Sequence, residues 1–437
     1  MQRTIDNELS RWKNSKTRKV LLLRGARQVG KTFSIRKLGE EFKNFLEVNF
    51  EETPGVKTIF KNSLNPHHLC EKLSLYFKTS IKPGETLLFL DEIQACPEAL
   101  KSLRFFFEKM PELHVAAAGS LLEFALEQIP SFGVGRINSL FMYPMTFSEY
   151  LIASGDEKLE SFILNSSSND PVEPVIHEKI LDKLKMFQLI GGMPEVVRTY
   201  LEEKDFMLCQ EVIDNILTTI KDDFAKYKEK FPVIRLEEVF DSIVYQSGNK
   251  FKYSNISPGT PQFYKDALDL LVKAGLAYKV YHTAARGLPL SAQVNKKKFK
   301  VLILDTGMYQ RVLGLDLSSY VLSDFSGLIN RGNLVELFVG LELIAHGSPR
   351  LHPNIHYWHR EARSSNAELD YVIASKGKVV PIEVKSGSRG QMQSMHIFLS
   401  ERNLEEGLRI SSENFTTYEK INTVPVYAVK NILHSSV

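Results

Sequence analysis

Gly25 and Gly30 bracket Ala26, Arg27, Gln28 and Val29, and Lys31 and Thr32 follow at once. This G-x-x-x-x-G-K-[ST] spacing constrains the fold more than any other feature of the chain, because it needs a strand before it and a helix after it. Both are legible. Val20-Leu21-Leu22-Leu23 reads as a short buried strand, and Phe33 to Phe42 reads as a helix with Ile35, Leu38 and Phe42 on one stripe. The glycines permit a turn that points successive backbone N–H groups at phosphate oxygens, and the helix N-terminus adds a positive field. In such a loop residues 25–32 cradle the phosphates of ATP. Lys31 reaches the β- and γ-phosphates, and the Thr32 hydroxyl ligates Mg²⁺.

A second motif supplies the other half of that chemistry. Thr86-Leu87-Leu88-Phe89-Leu90 is an apolar strand ending in Asp91-Glu92. Carboxylates at the C-terminal end of a parallel strand face the crevice where ligands bind. Asp91 is expected in the Mg²⁺ shell, and Glu92 as the general base that polarises the attacking water. His114-Val115-Ala116-Ala117-Ala118 is a further strand, expected beside the Asp91 strand. It ends at Ser120, placed to sense the γ-phosphate or the water; the same serine also reads as a helix N-cap. Arg136 follows Gly133-Val134-Gly135. It reads either as a cation that neutralises γ-phosphate charge, in cis or in a neighbouring subunit, or as an ordinary surface arginine.

A chain of 437 residues is too long for one core, and strand–helix alternation over its first third implies a doubly wound parallel sheet. We read four regions: a P-loop core over 1–155, a helical lid region over 156–230, a winged-helix-like region over 231–318, and an α/β region over 319–437. In the third, helices from Leu236 and Pro261 precede two strands, Leu276–Tyr281 and Phe299–Leu304, with the basic run Lys296-Lys297-Lys298 between them as a wing. Such modules often contact DNA. A net charge of +3 makes no global case for nucleic acid, so any such contact rests on local clusters. The three cysteines form no C-x-x-C pair, the N-terminus lacks a signal-like apolar stretch, and no apolar run approaches the roughly 18 residues of a membrane helix. These features suggest a cytoplasmic protein that does not enter a membrane. His352, His356 and His359 are close in sequence and read as surface histidines.

The last region carries a second carboxylate set. Asp370 lies on an extended segment, Lys376-Gly377-Lys378 is a tight turn, and Val379 to Ser386 is the returning strand. Glu383 and Lys385, two apart, share one side of that strand, with Asp370 beside them. Asp…Glu-x-Lys is the restriction-endonuclease-like pattern. Asp370 and Glu383 are expected to bind Mg²⁺, and Lys385 to steady developing phosphorane charge. Glu336, on the helix from Asn333 to Ala345 among Val339, Gly340 and Leu343, is the expected further acid. The competing reading is a cross-strand ion pair on an exposed sheet face.

Together these strings resemble a family: the AAA-type ATPases of bacteria and archaea whose C-terminal half is a domain of unknown function. The resemblance rests on Arg24 to Thr32, Leu90-Asp91-Glu92-Ile93-Gln94, Gly119-Ser120, Gly135-Arg136, Tyr143-Pro144, Gly191-Gly192-Met193-Pro194-Glu195, Leu304-Asp305-Thr306-Gly307 and Ile382-Glu383-Val384-Lys385-Ser386. It covers nearly the whole chain. It implies an ATPase core, a winged-helix middle and a restriction-endonuclease-like tail. The family's usual proline is Ala26 here, at a position whose side chain does not touch phosphate. The expected partners are ATP and DNA, with a protein partner and self-association as further expectations.

Overall fold

The computed structural model describes residues 1–120, 122, 126, 135–225, 232–256, 261–317, 331–360, 367–387 and 392–434. They form two compact units. The first comprises Met1–Tyr143, Lys273–Gly275 and Ser348–His352; the second comprises Pro144–Val272, Leu276–Gly347 and Pro353–Val437.

The first unit is built on five strands: β1 (Val20–Arg24), β2 (Asn44–Asn49), β3 (Thr86–Asp91), β4 (His114–Ala118) and β5 (Ile137–Phe141). Their order is β2-β3-β4-β1-β5, and every pairing is parallel. Apolar residues face both ways along β1 and β3, as a sheet covered on both faces requires. Leu22, Leu88 and Leu90 join a core with Leu69, Leu73, Leu100, Leu103 and Phe106 from helices Pro66–Phe77 and Pro97–Lys109. Because β4 lies between β1 and β3, the C-terminal ends of all three open on the same crevice.

In the second unit, helices Glu157–Asn165, Pro174–Ile190, Pro194–Glu203 and Phe206–Phe224 precede helices Val233–Tyr245 and Pro261–Lys273. An eight-stranded mixed sheet follows. It contains β6 (Ala277–Thr283), β7 (Val294–Ile303), β8 (His356–His359), β9 (Glu368–Ser375), β10 (Lys378–Val384), β11 (Gly407–Ser411), β12 (Thr416–Tyr418) and β13 (Ile421–Pro425), in the order β12-β13-β11-β10-β9-β8-β6-β7. The β6/β7 hairpin is therefore not a free wing. β6 pairs in parallel with β8, so the regions read separately as 231–318 and 319–437 share one sheet. The basic run is not a loop between strands either. Lys296, Lys297 and Lys298 lie within β7, where the register jumps from Tyr281↔Phe299 to His282↔Asn295, and the three residues bulge from the edge. The β9/β10 hairpin is as expected. Lys376 and Gly377 both have positive φ (49° and 76°), the two-residue turn that suits the twist of paired strands.

Candidate functional site

The loop after β1 has the conformation its glycines allow. Gly30 takes a left-handed φ of 98° as it opens helix Lys31–Gly39, and Gln28 is also left-handed at 63°. A side chain at Gly25 would place its Cβ 2.2 Å from the carbonyl oxygen of Met142, so glycine is obligatory there. Lys31 is buried, and its Nζ donates to the carbonyl oxygens of Gly25 (3.0 Å) and Ala26 (2.7 Å). Burial pulls its ammonium down to about 8, against the opposing pull of the Glu92 and Asp91 carboxylates.

The end of β3 meets this loop. Thr32 Oγ1 donates to Asp91 Oδ2 at 3.0 Å. Burial pushes the Asp91 carboxyl up to about 6, although bonds from Thr32 and the Glu92 backbone N–H favour its charged form. A hydroxyl and a buried carboxylate with incomplete charge compensation are the donor set of a hard cation, so Thr32 and Asp91 fit Mg²⁺. Glu92 has a left-handed φ of 46°, and its Oε2 accepts from Gln94 Nε2 (2.5 Å) and Ser120 Oγ (3.5 Å). Ser120 is buried at the end of β4, beside both motifs. The helix that would make it an N-cap lies largely outside the described residues.

Sequence reasoning assigned no role to two residues here. Gln94 fixes Glu92 and packs so closely on Gly119 that a Cβ there would lie 2.0 Å from its Oε1. Arg3 is buried and donates to the carbonyl oxygen of Val29 inside the loop (2.8 Å).

Arg136 is not at this crevice. Val20 pairs with Ile137, so Arg136 sits at the N-terminal edge of the parallel sheet, where it pairs with Glu108 at 2.6 Å. The length of β1, about 13 Å at strand rise, separates it from the loop. The in-cis reading fails for that reason.

In the second unit the C-terminal residues gather around a lysine that sequence reasoning missed. Lys300, on β7, has a side chain only 1% exposed. Its Nζ lies 2.9 Å from Glu336 Oε1, 2.9 Å from Glu368 Oε1 and 3.8 Å from Asp370 Oδ1. Burial alone would lower its pKa, but Glu336, Asp370 and Glu368 together outweigh that and hold the ammonium above its ordinary value. Burial raises Glu336 and Asp370; the Asp370 Oδ2 also accepts from the Val384 backbone N–H at 2.8 Å. Glu383, raised by burial, pairs with Lys385 at 2.6 Å as their spacing predicts. Its Oε2 is buried without a hydrogen-bond partner.

Glu336, the expected metal-binding acid, is thus committed to Lys300. Among the described residues no group of three or more His, Cys, Asp or Glu side chains is placed to hold a metal ion. The three-acid set does not fit a divalent metal as it stands. His356, expected at the surface, is buried in the sheet.

Two of the recurring strings are structural. Asp305 is fully buried and accepts from the backbone N–H groups of Gly192 (2.6 Å) and Met308 (2.9 Å). Gly191 and Gly307 leave room for this knot, since a Cβ on Gly191 would sit 2.3 Å from Asp305 Oδ1.

Residues 17–151 match the family model of an AAA domain. Residues 181–319 and 331–429 match two domains of unknown function, DUF8612 and DUF4143. An uncharacterized protein of Methanocaldococcus jannaschii is 22% identical over 291 residues, 63% of this chain and 60% of that protein. The match thus spans less than two thirds of that relative's length. Among solved structures, the Walker-type ATPase of Pyrococcus abyssi aligns with 71% of this chain and 94% of its own, at 15% identity and a TM-score of 0.47. The ORC1 protein of Aeropyrum pernix, in complex with DNA, aligns with 74% of this chain and 95% of its own, at 13% identity and a TM-score of 0.30. No helix among the described residues is long and apolar enough to cross a membrane. Residues 17–151 are an AAA-type P-loop ATPase domain, joined in one chain to two regions whose families have no assigned function.

Proposed function

We propose that the chain is a cytoplasmic, Mg²⁺-dependent ATPase that couples nucleotide turnover to a DNA-contacting C-terminal half. The observation that carries the ATPase reading is the convergence of Lys31, the Thr32–Asp91 pair and the Glu92–Ser120 pair at one end of the sheet. Phosphate binding draws Lys31 off the loop carbonyls it now satisfies. Glu92, fixed by Gln94, accepts the proton of the attacking water, and Ser120 holds the Glu92 carboxylate or the water in line. Thr32 and Asp91 would hold Mg²⁺, which supplies charge neutralisation between the phosphates. Arg136 acts on a neighbouring subunit or has no role in turnover. Turnover per chain that rises with protein concentration supports the first.

DNA contact is favoured by a basic group beside the carboxylates. Lys250 pairs with Glu368 at 3.2 Å, and Lys250 and Lys298 lie near enough to His359 to add to the burial that lowers its pKa to about 4. Exposed Lys296 and Lys297 extend this ridge along the sheet edge. Asp370, Glu383 and Lys385 carry a nuclease-like sequence spacing, and cleavage, which would require the Lys300 ammonium to give way to a metal, is a further part of the proposal. A second reading follows from the Lys300 pairings: a tail inactive as a nuclease that binds a protein partner under ATP control. ATP hydrolysis with and without DNA, run beside DNA cleavage in Mg²⁺ and Mn²⁺, separates them. DNA-stimulated turnover supports the first reading; turnover indifferent to DNA, with no cleavage, favours the second.

A further inference from the structure

The buried Arg3 lies outside the motifs that define the nucleotide site, yet it touches the phosphate-binding loop from behind. Its guanidinium donates to the backbone carbonyls of Val29, through Nη1 (2.8 Å), and of Tyr143, through Nη2 (2.7 Å). Val29 immediately precedes Gly30 and Lys31. Tyr143 is the residue at which the chain leaves the first unit, since Pro144 begins the second. The same exit segment packs on the start of the loop: the Met142 N–H donates to the Arg24 carbonyl at 2.8 Å, and the Met142 carbonyl lies against Gly25. Arg3 is itself held in place. Its backbone N–H donates to Asp6 Oδ2 (3.1 Å), which also accepts from Lys37 (2.7 Å) on the helix that follows the loop.

We infer that Arg3 is a positioning residue that ties the phosphate-binding loop to the Tyr143 exit, so that nucleotide occupancy of the loop is felt where the chain passes to its second unit. The inference rests on the ATPase reading above. A guanidinium suits this task because its rigid planar fork holds two separate nitrogens in fixed directions, one toward each carbonyl, whereas a lysine would have to reach both from a single rotatable ammonium. Loop closure around phosphate moves the Val29 carbonyl, and the shared guanidinium carries that movement to the Tyr143 carbonyl.

The test compares full-length wild type, Arg3→Lys and Arg3→Gln by ATP affinity, turnover, and hydrogen exchange of residues 141–147 with and without ATP. In the wild type, ATP slows exchange in both the loop and 141–147. In Arg3→Gln, ATP still slows exchange in the loop but not in 141–147, and affinity falls about tenfold as charge-assisted bonds disappear. Arg3→Lys restores much of the affinity and little of the coupled protection. A purely structural role would instead raise exchange in both segments alike, with or without ATP, and that result overturns the inference. So does Arg3→Gln behaving as wild type. Wild type that binds no ATP would refute the ATPase reading itself, and this inference would fall with it.

Discussion

Replacing Lys300 by methionine removes one charge and keeps most of the volume. The structure sets the magnitude. The ammonium is almost wholly buried and compensates Glu336, Glu368 and Asp370, of which Glu336 is itself buried and Asp370 half-buried. Breaking such an arrangement by removing one partner costs about 3–5 kcal/mol. For a unit of this size that lowers Tm by about 6–20 °C. The loss carries a pH signature. Burial already holds Glu336 and Asp370 above ordinary carboxyl values, and without Lys300 they rise further. A carboxyl raised in the folded state stabilises at low pH, and that stability is lost as pH rises through the folded value. The variant should therefore lie furthest below wild type near pH 8 and recover part of the difference near pH 5. Thermal melts of both proteins across that range are the assay. A Tm within about 2 °C of wild type at pH 8, or a deficit that does not shrink toward acid, would refute the compensation argument.

Lys300→Ala also opens space among three carboxylates, so millimolar Mn²⁺ should raise the melting temperature of this variant by more than it raises that of wild type. Glu92→Gln should bind ATP as wild type does and turn it over about 10²–10⁴-fold more slowly, as removal of a general base does; wild-type turnover would withdraw the assignment. ATP affinity should fall as pH rises above about 8, because the ammonium form of Lys31 binds phosphate and burial places its loss there in the free protein; titration calorimetry between pH 7 and 9.5 reads it. Replacing Lys296, Lys297 and Lys298 by alanine should weaken DNA binding and flatten its salt dependence by about 0.9 for each phosphate these lysines neutralise; an unchanged slope would remove this edge from the DNA surface.

The geometry of the crevice between the Lys31 loop and the end of β3 was legible in sequence because its information is local. Glycine spacing, an apolar strand and a strand-end Asp-Glu pair specify loop and carboxylates without reference to distant residues. Even the neighbourhood of β3 and β4 followed from alternation. Arg136 shows the limit of that reasoning. Nearness in sequence to Ser120 says nothing about which edge of the sheet a residue occupies, and parallel pairing of β5 with β1 sends it to the far one. The wing failed because nothing in the hairpin's own sequence announces that β8, some fifty residues later, pairs with it. Lys300 did leave a signal: a single charge inside Phe299-Lys300-Val301-Leu302-Ile303 must find buried partners. Glu368, two residues from Asp370, shares its strand face and was readable by the same period-two rule that placed Glu383 with Lys385.

If the Lys31 loop and the Asp91-Glu92 strand end form a working ATPase, the purified protein hydrolyses ATP and needs Lys31 to do so. Phosphate release from Mg²⁺-ATP by the purified full-length chain, measured beside Lys31→Ala with and without DNA, tests it most directly. Wild type should release phosphate, and Lys31→Ala should lose that release together with nucleotide binding. Equal release by both proteins, or none by wild type under either condition, would contradict it.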